Sequence, residues 1–127
     1  MPSPIESVTT AALSAALDAA VRQHAVIALN IANAGSIGYV PLRLAFDEHL
    51  AAARGSLRER GRLDDAAVES LRALQEAALE PAPAGQQVQL DAEMSELARN
   101  AVHFQALTQG VARHLSILSM AAADGRK

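Results

Sequence analysis

The 127-residue sequence contains no cysteine and no tryptophan. Without thiols, disulfides, thiolate nucleophiles and cysteine-held metals are excluded, and their absence fits an oxidising or exposed location. Aromatics are scarce as well: Tyr39, Phe46 and Phe104 are the whole set. No rings are interleaved with the basic residues to stack bases, and a net charge of −3 with a pI near 5.7 points away from nucleic acid. No run approaches the roughly 18 apolar residues that span a bilayer. The N-terminus lacks the basic head and apolar stretch of a cleaved signal peptide. Export is therefore expected to use a route without one, and direct membrane insertion is not expected. A P-loop, a Gly-rich dinucleotide turn and a Ser-His-Asp set are likewise missing.

What is present is helix-forming and thinly apolar. Half of the residues are hydrophobic, and alanine supplies much of that half. Alanine favours helix but buries little area. Narrow Ala/Leu stripes suit helix-on-helix contact, and a chain of this length with so little bulk is expected to need partners to finish its burial.

The periodicity predicts an all-α single domain, 1–127, in three parts: an N-terminal helix over 7–33, a turn and middle segment over 34–87, and a C-terminal helix over 88–123. In the first helix Leu13, Leu17, Ala20, His24, Ile27 and Ile31 follow at spacings of four and three, a heptad seam. Ser7 or Thr9 is placed to cap its start, and Asn33-Ala34-Gly35 to end it. In the last helix Leu90, Met94, Leu97, Ala101, Phe104, Thr108, Val111, Leu115, Leu118 and Ala122 alternate without a break, and Asp91 is placed to cap it. Between them, Leu44, Phe46, Leu50 and Ala51 suggest a short amphipathic piece. Val68, Leu71, Leu74 and Ala78 suggest a helix face, ended by the linker Pro81-Ala82-Pro83-Ala84-Gly85.

The two long helices are expected to pair antiparallel in a coiled-coil-like bundle, with the shorter irregular or helical middle projecting from the far end. Setting Leu13 against Leu118 places Leu17 opposite Leu115, Ala20 opposite Val111, Ile27 opposite Phe104 and Ile31 opposite Ala101. His24, the polar residue of one seam, then faces Thr108, the polar residue of the other. A single polar layer of this kind is a known way to fix register.

Two end segments carry a resemblance. Asn30-Ile31-Ala32-Asn33, then Gly38-Tyr39 and Phe46, resemble the N-terminal signature of flagellar rod and hook proteins, and Gln23 fits as well. Val88-Gln89-Leu90-Asp91-Ala92-Glu93-Met94, with Ala98-Arg99-Asn100 and Phe104-Gln105, look like the matching end of the FlgB-type proximal rod proteins. The segments together cover a little over half of the chain. One departure is the turn, where the family's Thr-Pro-Gly stands here as Ser36-Ile37-Gly38; another is a middle segment more helical than the family's. The resemblance implies a structural subunit of the flagellar basal body, exported by the flagellar type III apparatus and placed in the periplasm-spanning rod. Its implied partners are other rod proteins, ring and export-gate proteins, the rod-base adaptor and further copies of itself. The implied assembly residues are the two seams and the corner: Leu13, Leu17, Ala20, Ile27, Ile31, Asn30, Asn33, Gly38 and Tyr39, with Met94, Leu97, Asn100, Phe104, Val111, Leu115 and Leu118. A FlgC-type rod protein, or a cytoplasmic helical adaptor or export chaperone, is the alternative.

The remaining candidates read more simply. His24, His49, His103 and His114 include no pair at the i, i+3 or i+4 spacing of a helical metal site. The arginines Arg54, Arg58, Arg60 and Arg62 suit a solvated face, or an acidic partner surface. Asp91 and Glu93 are close in sequence but serve a helix start, where carboxylates suit the dipole. No catalytic residue, metal ligand or cofactor is expected, and the chain is read as a non-enzyme.

Overall fold

The computed structural model describes residues 4–45, 55, 58–60, 65–73 and 79–126. Phe46, His49, Leu50, Ala51, Arg54, Arg62, Leu74 and Ala78 lie outside them, as do the side chains of Ser7, Val68 and Leu71. Two long helices dominate: α1 (Pro4–Ala32) and α3 (Leu90–Asp124). A shorter helix, α2, spans Asp65–Ala73.

Helix α1 begins earlier than its polar residues suggested. Proline is well suited to a first helical position, because the N–H it lacks is unbonded there in any case. Pro4 therefore starts the helix, and Thr9 lies inside it instead of capping it. The other end closes as expected. The Ala34 N–H reaches Ile31 O at 3.2 Å, tightening the last turn, and the Asn33 amide donates to Leu29 O at 2.9 Å. Helix α3 starts at Leu90, so Asp91 sits in its first turn; the capping position is Gln89, which makes no side-chain cap.

The chain is not purely helical. Strand β1 (Leu42–Leu44) pairs antiparallel with β2 (Leu79–Pro81), in the register Leu42↔Pro81, Arg43↔Glu80 and Leu44↔Leu79. These runs are too short for period-two alternation to show. Pro41 biases the entry toward extended backbone, and Pro81 is tolerated because, among the described residues, β2 pairs with β1 alone. The Ala82 N–H donates to Pro41 O at 2.8 Å and extends the pairing by one bond. Because Leu44 and Leu79 are partners, the middle of the chain leaves and returns at one place.

Helices α1 and α3 pack together along their length, and α2 packs against α1. This part of the middle segment thus lies against α1 and does not simply project beyond the pair. The core is small: Ala15, Ala19, Ala20, Val26, Ile27 and Ala82 are its buried apolar residues among those described. On the predicted α1 seam, Ala20 and Ile27 are buried, Leu13, Leu17 and Ile31 are half-buried, and His24 is exposed. Ala15, Ala19 and Val26 lie about a third of a turn round the helix, so α1 is buried on two sides.

The pairing is antiparallel, but its register differs from expectation. Thr10 meets His114, Ala20 meets Asn100 and Asn30 meets Glu93. Relative to the expected partners, α3 is displaced by about nine residues, or two and a half turns. The Thr108 hydroxyl donates to Phe104 O of its own helix at 2.9 Å, and does not serve His24. The rotation differs as well. Glu93, Leu97, Asn100, Leu107, Val111, His114 and Leu118 are buried or half-buried, whereas Met94, Ala101, Thr108 and Leu115 are exposed.

With so little buried bulk, Ile27, at 1% exposure, carries a large share of the core. Ile27→Ala should lower stability by about 2–4 kcal/mol in urea denaturation. Ile117→Ala, on the exposed side of α3, should change it by about 0.5 kcal/mol or less.

Candidate functional site

The Asn30–Tyr39 corner is a polar core built from three separate parts of the chain. Asn30, in the last turn of α1, is fully buried. Its Oδ1 accepts from the Leu42 N–H at 2.9 Å and from the Tyr39 hydroxyl at 2.8 Å. Its Nδ2 donates to Leu42 O at 2.9 Å and, more weakly, to Glu93 Oε2 at 3.4 Å. The carboxamide thus copies a backbone partner for the first residue of β1. An asparagine suits this task because it carries both an acceptor and two donors.

The turn that delivers Tyr39 is fixed by its own bonds. The Ser36 N–H donates to Asn33 O at 2.9 Å, the Ser36 hydroxyl reaches Asn33 Oδ1 at 3.5 Å, and the Tyr39 N–H donates to Ser36 O at 3.3 Å. Gly38 lies at φ +77°, the left-handed region required at the third position of such a turn. Glycine alone meets that need cheaply.

Glu93 completes the corner from α3. It is 2% exposed, and its Oε1 accepts from Arg43 Nη1 at 2.6 Å. Arg43 keeps half of its side chain in water, so the bridge is buried on one side only. Glu93 was expected to serve the start of its helix; it does lie in the first turn, but it is also the buried counter-charge of β1. No local pattern marks it, because its partners are 50 and 63 residues away. Burial pushes the Tyr39 phenol above its usual range, and the nearby Glu93 charge pushes the same way.

The second feature is a surface. A groove of about 330 Å³ opens between the long helices, lined by Ala20, Val21, His24, Asn100, Ala101, Phe104 and Gln105. Beside it runs an exposed apolar row on α3: Leu90, Met94, Ala101 and Leu115, with Phe104 at its border. Of the expected assembly residues, Met94 and Leu115 therefore face outward. Leu97, Val111 and Leu118 turn toward α1, and Asn100 donates to Ala20 O at 2.9 Å. Val102, Ile117 and Met120 are exposed on the far side, so α3 is apolar around much of its circumference. A helix of that kind is usually enclosed.

Among the described residues no three His, Asp or Glu side chains gather as metal ligands, and no helix is long and apolar enough to cross a membrane. Arg58 and Arg60 are exposed. No protein-family model, curated protein or solved structure matches the chain.

Tyr39 is the chain's sole tyrosine, so its ionisation can be followed directly. Its folded phenol holds its proton more tightly than the unfolded one. The stability linked to it is therefore complete below about pH 10 and lost as pH rises through the folded value. Tyrosinate absorbance should report a midpoint above that of free tyrosine. Glu93→Gln should lower the midpoint without restoring the free value, since burial is the larger cause. Tyr39→Phe should cost about 1 kcal/mol at neutral pH and remove this alkaline loss.

Proposed function

We propose that this chain is a structural subunit of the proximal rod of the bacterial flagellum, of FlgB type, that acts by assembly and not by catalysis. The observation that carries the reading is the uncovered apolar row Leu90–Met94–Ala101–Leu115 beside a completed intrachain seam. The subunit satisfies its polar corner by itself and leaves apolar area for neighbours. The corner supports the reading too, because the residues that resemble the rod and hook signature build it: Tyr39 donates to Asn30 Oδ1, Asn33 bonds Leu29 O and the Ser36 hydroxyl, and Gly38 supplies the positive φ of the turn. Contacts of one patch with a different patch, repeated about an axis, build an open helical array. Each interface gains from apolar burial and loses part of that gain to ordering. Several neighbours per subunit then make a stable polymer of weakly dimerising parts. Partners in this reading are other rod proteins, the ring and export-gate proteins, the rod-base adaptor and further copies. The location in this reading is the periplasm-spanning rod.

Deletion of the gene tests the assignment. Cells should be non-motile and lack complete rods in micrographs of basal bodies, while the membrane ring still forms; normal hooks and filaments would reject it. The surface has its own test. Leu115 is 53% exposed, so Leu115→Asp should leave the purified chain folded by circular dichroism. It should nevertheless fail to restore motility, because a charge enclosed without a partner costs several kcal/mol. Phe104→Asp should fail as well, whereas Glu96→Gln, which alters only an exposed Glu96–Arg99 pair at 2.8 Å, should restore swimming. An export chaperone would instead be a stable dimer in solution, with slow hydrogen exchange along both long helices.

A further inference from the structure

Helix α3 offers α1 two rows that share the apolar line through Leu97, Phe104, Val111 and Leu118. On one flank Met94, Ala101 and Leu115 are apolar. On the other, Glu93, Asn100 and His114 are polar, with Leu107 between the last two, whereas Thr108 interrupts the first flank; the heptad spacing puts each set on one side of the helix. Packing by apolar area alone would turn the first flank inward. The structure turns the polar flank inward, and each of its members finds a specific partner: Glu93 takes Asn30 and Arg43, Asn100 takes Ala20 O, and His114 takes Thr10 at 3.2 Å.

We propose that Glu93, Asn100 and His114 are a register key that selects this pairing over the slipped, more apolar one and so keeps the Met94–Leu115 row available on the outside. Sliding α3 by one heptad would hold the same face inward while separating all three residues from their partners at once. Sliding it to the apolar seam would carry Glu93 past the end of α1 at Ala32. Glu93 would then leave its bond to Asn30, and Asn100 and His114 would leave Ala20 O and Thr10, so the slip is penalised by the polar row and not by the apolar one. Removing the key leaves little else unsatisfied. Without Glu93, the Asn30 amide still bonds Leu42 and Tyr39, and Arg43 is half in water. This inference does not require the chain to be a rod subunit.

The chain has no cysteine, so engineered pairs report register directly. One pair replaces Val21 and Ala101, which line the same groove. The other replaces His24 and Thr108, which meet only in the slipped register and otherwise sit roughly 13 Å apart along the axis. With a short bis-maleimide, the otherwise unaltered chain should crosslink through the first pair and not the second. In Glu93→Ala/Asn100→Ala, the first yield should fall at least about threefold and the second should appear, with helical circular dichroism retained. An unchanged first yield and no second product would overturn the proposal. If the double variant loses its helical signal, Asn100→Ala alone, which leaves the corner whole, decides. A partial shift from the first pair to the second supports the key, and an unshifted pattern rejects it.

Discussion

Everything at the open end of the helix pair is arranged around one carboxamide. Asn30 holds the backbone of Leu42 by both its N–H and its carbonyl, and in doing so directs the chain from α1 into β1. The same group receives the Tyr39 hydroxyl and touches Glu93. Four pieces of chain, the α1 terminus, the Gly38 turn, the first strand and the first turn of α3, are thereby related through a side chain with no solvent exposure. In so low a dielectric a satisfied network is rigid, and a broken one is costly. The strand pairing and the placement of α3 both depend on it.

Away from that corner, alanines make up most of the buried core among the described residues, and the larger apolar residues of α3 are mostly on its surface. Helix α1 is enclosed on two sides by its own chain. Helix α3 is enclosed on one, with apolar side chains extending round to the other. Of the two, the second helix therefore presents the larger exposed apolar surface.

Much of this was legible in the residues. Both long helices and their antiparallel arrangement follow from spacing and capping chemistry, and the turn at Gly38 from the left-handed preference of glycine; Asn30 and Tyr39 were marked out by the resemblance to rod and hook proteins, and their bond to each other was not foreseen. The inward set on α1 was read correctly at Ala20 and Ile27. The short strands were not legible, because three residues on each side carry no period and paired residues such as Arg43 and Glu80 have 36 others between them. The rotation of α3 was misread for a different reason. Counting apolar residues favours the Met94–Ala101–Leu115 flank, and the structure buries the flank that has hydrogen-bond partners instead.

The sequence by itself determined that two long helices form and that the chain between them turns sharply at Gly38. Those outcomes depend on local backbone preference and on apolar spacing, which act over a few residues. It also determined that bulk would be too scarce for a thick core, since alanine occupies so many apolar positions. The tertiary structure alone decided which face of α3 meets α1, in what register, and what Glu93 is for. A carboxylate at the start of a helix looks the same in a sequence whether it faces water or a buried asparagine and arginine. Only the folded chain brings Asn30, Arg43 and Glu93 within bonding distance, because Glu93 stands 63 and 50 residues from the other two in the sequence.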